Sequence, residues 1–160
     1  MAGNQEDIYS FTLQFKKTWP PQQLIREGRM KDPLKQNDLR TVSINNYEEA
    51  IRYPEILIQT SFDFRLDDHE LIVPAWSSGL STYTDENRLR HVLRVREERL
   101  WKLGPSDDAR QIFYPAEMQL KQDKRDPTHF GINPKERMRP EKFKQMLRCL
   151  PWVKLYPKNT

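Results

Sequence analysis

The chain contains 160 residues with a formal net charge of +4, and 36% of its residues are hydrophobic. Four Trp, six Tyr and seven Phe supply large apolar side chains for one packed domain, which argues against a disordered chain. Apolar runs are too short to cross a bilayer, the start of the chain lacks a signal segment, and the single cysteine excludes an internal disulfide, so we expect an intracellular, cytoplasmic or nuclear protein.

Charge is distributed unevenly along the chain. Residues 1–80 contain nine Lys or Arg and twelve Asp or Glu, whereas residues 121–158 contain eleven and four. All of the excess positive charge therefore lies near the C-terminus. This pattern indicates that the last quarter of the chain meets an anionic partner.

The first half of the chain predicts short elements. Apolar and polar residues alternate over residues 8–17, which predicts a strand with its odd-numbered residues on the buried face. Residues 20–28 predict a short helix with proline in its first turn and glycine at its end. Residues 39–44 predict a short strand, and residues 46–54 predict a helix of barely two turns that a proline ends.

The middle of the chain predicts a hairpin and a long helix. Residues 55–66 and 69–76 alternate in polarity and flank a polar turn, which predicts two paired strands. Residues 77–84 are expected to form a loop. Residues 85–103 carry leucines at helical spacing and predict a long helix, with a strand over its first half as the alternative.

The last third of the chain is predicted to contain an amphipathic helix. Residues 104–123 predict one or two short helices, and residues 124–140, with three prolines and a glycine, predict an extended surface connector. Residues 140–150 predict an amphipathic helix bounded by prolines, in which Cys149 is expected to be buried. Its apolar stripe consists of Phe143, Met146, Leu147 and Leu150.

This order of elements predicts the α+β class. We expect an antiparallel sheet with an early hairpin, covered by later helices, and a basic C-terminal segment. The predicted division is a core domain over residues 8–125 and a proline-punctuated C-terminal segment over residues 126–160, whose helix packs on the core.

The C-terminal segment interleaves cations with aromatic side chains. Cations neutralise phosphates, and aromatic faces stack on unpaired bases. We therefore expect a non-enzymatic protein that binds nucleic acid, RNA or single-stranded DNA rather than duplex DNA. The predicted contact residues are Lys135, Arg137, Arg139, Lys142, Lys144, Arg148, Trp152, Lys154 and Tyr156.

Three alternatives stay open. The C-terminal helix would be a solvated basic face whose aromatics cover the core, without a ligand. The protein would be a structural or adaptor protein that self-associates or docks on a protein partner, including an assembly component at an anionic membrane surface. A metal-dependent hydrolase would need His69, His91 or His129 brought together around an ion.

Motifs for catalysis or cofactors are weak. There is no close pair of His or Cys at metal-ligand spacing and no glycine-rich phosphate motif, so we expect no metal and no cofactor. Nucleotide-hydrolysing and dinucleotide-binding classes are disfavoured for the same reason. The two weak groupings are His129 with Asp126 and Asn133, as in a nuclease, and the carboxylates Asp67, Asp68 and Glu70, as in a cation site.

Overall fold

The structure, a computed structural model, describes residues 11, 13–15, 20, 22–36, 39–42, 63–75, 79–104 and 113–157. These residues form an α+β fold built on a six-stranded antiparallel sheet with two α-helices, and the predicted fold class is confirmed. The predicted helix over residues 46–54 lies outside the described residues. The predicted domain boundary falls in the turn that joins two neighbouring strands of the sheet, after residue 122 and before residue 129.

The elements follow one another in short segments. The described strands are β1 (Leu13–Phe15), β2 (Leu24–Glu27), β3 (Thr41–Val42), β4 (Phe64–Arg65), β5 (Leu80–Tyr83), β6 (Leu100–Leu103), β7 (Phe113–Pro115), β8 (Met118–Gln122), β9 (His129–Pro134) and β10 (Val153–Lys154). The α-helices are α1 (Glu86–Val92) and α2 (Pro140–Cys149), and a short 3-10 helix covers Glu97–Arg99.

The main sheet has the strand order β10-β6-β2-β5-β9-β8, and all of its pairs are antiparallel. Two small pairs lie outside it: β1 pairs with β7 in antiparallel fashion, and β3 pairs with β4 in parallel fashion. The long β8–β9 and β5–β9 ladders therefore bring residues 118–134 against residues 80–83, far apart in sequence.

The helix predicted over residues 20–28 is wrong, because Leu24–Glu27 is the strand β2 inside the sheet. It pairs with β6 over its whole length and with β5 at one position. Leu24, Ile25 and Arg26 are all buried. A strand buried on both faces has no alternation of polar and apolar residues, so the sequence carried no signal for it.

Two further segments predicted as irregular are also central strands. Leu80–Tyr83, expected to be a loop, forms β5, and His129–Pro134, expected to lie in a surface connector, forms β9. Gly79 directly before β5, and Pro127, Gly131 and Pro134 in and around β9, are typical of loops. Pairing with a neighbour on each side overrides that local preference.

The long helix predicted over residues 85–103 stops early. The carboxylate of Asp85 accepts hydrogen bonds from the first amides of α1, and the Leu93 N–H donates to the Leu89 carbonyl where the helix ends. The remaining leucines at helical spacing lie in β6 instead, at the end of the segment and not in the first half where the alternative placed a strand. The helices predicted over residues 104–123 are likewise wrong, because the described part of that segment forms β7 and β8.

The predicted C-terminal helix is confirmed as α2, and its apolar stripe is buried as expected. Cys149, expected to be buried, is exposed. At the other end of the chain, Leu13 was expected to face the core but is 49% exposed. Of the predicted hairpin, the described residues show an antiparallel bridge between Leu66 and Ile72 and no second full strand.

Buried side chains form two clusters. The larger cluster joins sheet residues such as Leu80 and Ile132 to Phe143 and Met146 of α2. The smaller cluster joins Ile25, Tyr83 and Leu100 of the sheet to Leu89 of α1. Because neighbouring positions of a strand point to opposite faces, α1 and α2 lie against opposite faces of the sheet. Within the described ranges, no helix is both long and apolar enough to cross a membrane.

Candidate functional site

Two of the cations predicted to contact nucleic acid form ion pairs within the protein. Arg137 lies 2.7 Å from the nearly buried carboxylate of Asp67, and Arg148 lies 3.2 Å from Asp32. Both carboxylates belong to the acidic first half of the chain. These two arginines therefore meet anions of their own molecule.

Three more of the residues predicted to contact nucleic acid make hydrogen bonds within the protein. The Trp152 indole N–H donates to the Leu147 carbonyl, and its ring packs on the larger core cluster. The Lys154 ammonium donates to the Met30 carbonyl. The Tyr156 hydroxyl donates to the Glu86 carboxylate, 2.5 Å away, and this hydrogen bond lowers the pKa of Glu86.

Three of the other predicted cations form no ion pair with a described residue. The side chains of Lys135 and Arg139 are exposed, that of Lys142 is half-buried, and none of the three bonds to another described residue. Lys144 is half-buried and does have a partner. These residues lie before and along α2, and the nucleic-acid site stays a prediction.

A different feature is the cleft at the point where β2 and β5 separate. The two strands share one paired position, Ile25 opposite Tyr83, whereas β2 pairs with β6 at four positions. A cavity of about 330 Å³ opens beside this gap. We name it the β2–β5 cleft.

Both apolar and polar residues line the β2–β5 cleft. The apolar lining residues are Leu34, Leu39, Leu80, Leu89, Val92 and Leu93. The polar and charged lining residues are Arg26, Glu27, Lys35, Gln36, Arg40, Asp63, Ser81 and Tyr83. Lys35 pairs with Glu27 and Arg40 with Asp63, so these four charges balance.

Arg26 is the unusual group of this lining. It is 7% exposed, and its Nε and Nη1 atoms donate to the carbonyls of Pro33 and Ser81 at 2.7 and 3.0 Å. With the described residues it makes no ion pair. Burial lowers the pKa of Arg26 to about 10, against the opposing pull of the nearby Asp63 carboxylate. The guanidinium is thus charged at neutral pH, buried, and beside an open cleft.

Ser81 lines the β2–β5 cleft and is also the first in a row of three hydrogen-bonded side chains, which continues through His129 to Asp123. Ser81 stands opposite Gly131 and Tyr83 opposite His129, so His129 is the diagonal neighbour of Ser81 on one sheet face. Gly131 has no side chain to separate them. The His129 Nε2 atom lies 3.0 Å from the Ser81 hydroxyl oxygen, and the ring stacks on Tyr83 at 4.8 Å.

The row ends at Asp123, directly after β8. Its carboxylate lies 3.0 Å from His129 Nδ1. Burial of Asp123 raises its pKa, but the hydrogen bonds from His129 and from the Arg125 amide outweigh burial, so the pKa falls below its usual value. Held in this way, His129 can accept the Ser81 proton or, when protonated, donate to the Ser81 oxygen.

The sequence grouped His129 with the wrong partners. Asp126 bonds to Thr128 and Arg88, and these contacts lower its pKa to about 2. Asn133 is buried and accepts a hydrogen bond from the Ala75 amide. Neither is a hydrogen-bond partner of the His129 ring, whose two nitrogens contact Asp123 and Ser81.

The acidic cluster of the predicted cation site serves a turn instead. Asp67 accepts hydrogen bonds from the amides of His69 and Leu71, which lower its pKa, while Asp68 and Glu70 are exposed. Among the residues that the structure describes, no three His, Cys, Asp or Glu side chains converge in a metal site.

A second cavity, of about 520 Å³, lies at the start of α2. Its lining includes both cations and carboxylates, namely His69, Arg139, Lys144, Glu70 and Glu141. All of these side chains are exposed or half-buried, so water already solvates their charges. This cavity lacks the buried, unpaired charge that distinguishes the β2–β5 cleft.

Sequence reasoning missed the residues of the β2–β5 cleft and of the row behind it. Arg26 lay in a predicted helix, and Ser81 and Tyr83 lay in a predicted loop. The sequence around Arg26 gave no signal of burial, because the arginine follows only two apolar residues and Glu27 comes directly after it, which is typical of a surface position. Comparisons with protein-family models, with curated proteins and with solved structures give no match for this chain.

Proposed function

We propose that the protein binds a small anionic ligand with an apolar or aromatic ring, of about mononucleotide size, in the β2–β5 cleft. The observation that carries this proposal is the buried Arg26 guanidinium, which hydrogen-bonds only to backbone carbonyls and forms no ion pair with a described residue. A buried charge is costly unless an opposite charge compensates it. A phosphate or carboxylate in the cleft would supply that charge.

The shape and lining of the cleft agree with such a ligand. Its volume of about 330 Å³ is at the small end of ligand cavities, which suits a compound of one ring system and one anionic group. The leucines and the valine of the lining offer apolar surface for a ring. The paired carboxylates Glu27 and Asp63 lie within reach of ligand hydroxyl or amino groups in the same cleft.

The Arg26 guanidinium can hold an anion without a glycine-rich phosphate loop. Such loops hold phosphate with backbone amides at a helix N-terminus. A guanidinium does so with a fork of N–H donors that matches phosphate and carboxylate oxygens. The cleft therefore has a means of holding an anion that motif searches do not detect.

Calorimetric titration with AMP, adenosine and inorganic phosphate tests the proposal. AMP should bind at least about tenfold more tightly than adenosine, because a hydrogen bond to a charged group contributes roughly 1.5–3 kcal/mol. Arg26→Met should abolish that advantage, whereas Arg94→Met, which removes an exposed arginine, should not. Equal binding of AMP and adenosine, or unchanged AMP affinity in Arg26→Met, would overturn the proposal.

Binding of single-stranded RNA along α2 is the second candidate function. The observation that favours it is the set of three cations, Lys135, Arg139 and Lys142, that bond to no other described side chain. Each phosphate contact made by such a cation releases bound counterions, which makes the affinity depend on salt.

Salt titration of oligonucleotide binding distinguishes this candidate. Replacing the three free cations by alanine should lower the slope of log affinity against log salt by about 2, at roughly 0.7 per single-strand contact. The control replaces Lys31, Arg94 and Lys124, which are exposed cations elsewhere in the molecule. Equal slopes for the two triple variants would show that only net charge matters, and the candidate would fall.

A further inference from the structure

Ser81 lies on the same face of the sheet as His129 and also borders the β2–β5 cleft. It lines the cavity, and its hydroxyl oxygen lies 3.0 Å from His129 Nε2. The other ring nitrogen lies 3.0 Å from the Asp123 carboxylate. An ionised carboxylate can only accept a hydrogen bond, so His129 Nδ1 carries a proton in both charge states of the ring.

The charge state of His129 therefore decides what Ser81 offers to a ligand. With a neutral ring, Nε2 is an acceptor and takes the single hydroxyl hydrogen of Ser81, which leaves only oxygen lone pairs for the cleft. With a protonated ring, Nε2 is a donor to the Ser81 oxygen, and the hydroxyl hydrogen is free to turn to the cleft. Lone pairs repel an anion, and a free O–H binds it.

We propose that His129 is a positioning residue that switches Ser81 between acceptor and donor toward the β2–β5 cleft, so that the cleft binds an anion more tightly when His129 is protonated. This inference rests on the proposed function, because it concerns the same ligand in the same cleft. It adds a pH dependence and a specificity residue, Ser81, that Arg26 alone does not require.

The other charged groups near His129 keep their charge over the range in which histidines titrate, about pH 5 to 8. Asp123 and Asp126 both have lowered pKa values and remain ionised. Arg88, on α1, stays cationic and pairs with Asp126 at 2.9 Å.

Two further groups face the same side of the sheet. Burial raises the pKa of Tyr83, which stacks on the imidazole, so this phenol stays neutral. Lys121 stands opposite Gly131, and its ammonium donates to the Ala75 carbonyl. The aspartates, Arg88 and Tyr83 around this row thus keep their charge states between about pH 5 and 8.

The test measures calorimetric affinity for cyclic AMP between about pH 8 and 5. This probe is suitable because its phosphodiester keeps one negative charge across the range. Affinity of the parent protein should rise about tenfold as the pH falls, the gain expected for one additional hydrogen bond to a charged group. Affinity for uncharged adenosine, the control ligand, should not follow the same course.

Two variants separate the switch from simple attraction by the imidazolium. Ser81→Ala removes the hydroxyl and should show weak binding at every pH. In Asp123→Asn, the new amide donates to His129 Nδ1, which places the proton of the neutral ring on Nε2. This variant should bind at pH 8 as tightly as the parent does at pH 5.

Each outcome decides a separate point. No binding of any nucleotide by the parent removes the proposed function and this inference together. Binding by the parent that is independent of pH removes the inference and leaves the proposed function standing. A full pH dependence that persists in Ser81→Ala, or in Asp123→Asn, also overturns the switch, because the charge of the ring would then act directly.

Discussion

Replacing Arg26 by methionine separates a residue kept for binding from one kept for stability. Burial lowers the Arg26 pKa to about 10, well below its usual value. At about 1.4 kcal/mol per unit, keeping this side chain charged in the folded state costs on the order of 3 kcal/mol at neutral pH. Because the pKa is lowered on folding, this cost is fully present below the folded pKa and is lost as the pH rises from there to the higher pKa of the unfolded chain.

Arg26→Met removes this cost and also removes two hydrogen bonds. The carbonyls of Pro33 and Ser81 lose their charged donors, which costs roughly 1.5–3 kcal/mol for each bond. The opposing effects largely cancel, so the free energy of unfolding should fall by no more than about 3 kcal/mol. The same variant should lose the phosphate-dependent part of AMP binding.

Urea unfolding monitored by tryptophan fluorescence, together with calorimetric titration, measures both quantities. The parent protein and Arg94→Met are the references. A loss of more than about 4 kcal/mol on Arg26→Met would show that the guanidinium mainly holds the strands together, as expected when a buried charge has a compensating partner. The reasoning that assigns its charge to a ligand would then fail.

Other substitutions test the fold and its electrostatics. Phe143→Ala should lower the free energy of unfolding by about 3–5 kcal/mol, because the ring is fully buried; urea unfolding that shows under 1 kcal/mol would contradict this packing. Gly79→Ala should cost at least about 1–3 kcal/mol in the same assay, since φ is +83° and an added Cβ would lie 2.5 Å from a carbonyl oxygen of β9. Contacts with Thr128 and Arg88 lower the pKa of Asp126 to about 2, so its contribution is present above the ordinary value near 3.8 and is lost as the pH falls through 2. Acid unfolding of Asp126→Ala should lack this decline between pH 4 and 2, and an unchanged acid limb would contradict it.

The sequence predicted the parts of the fold that depend on local periodicity. The α2 helix was found because its apolar residues repeat at helical spacing between two prolines. This signal is a property of a single segment, so it survives without knowledge of the partners. The antiparallel sheet was also predicted from alternating segments, but the described strands of those segments are β1, β3 and β4, which lie outside the six-stranded sheet.

The central strands could not be found in the same way. β2 is buried on both faces and shows no alternation, and the glycines and prolines in or beside β5 and β9 indicated loops there. Their structure is decided by pairing with segments that lie far away in the chain. The candidate site was missed for the same reason, since Arg26 and Ser81 belong to these strands.

The basic C-terminal segment has a structural role that joins it to the β2–β5 cleft. Arg148 pairs with Asp32, and Lys154 donates to the Met30 carbonyl. Both contacts hold the turn that leads into Pro33, whose carbonyl accepts the hydrogen bond from Arg26.

Part of the positive charge near the C-terminus is therefore compensated within the molecule. The cations of the last two elements neutralise and fix a turn of the acidic first half, and that turn positions one wall of the cleft. An uneven distribution of charge along a chain does not by itself require an external anion, because the fold can bring the two halves together. Among the described residues, the buried charge that forms no ion pair is the Arg26 guanidinium on β2.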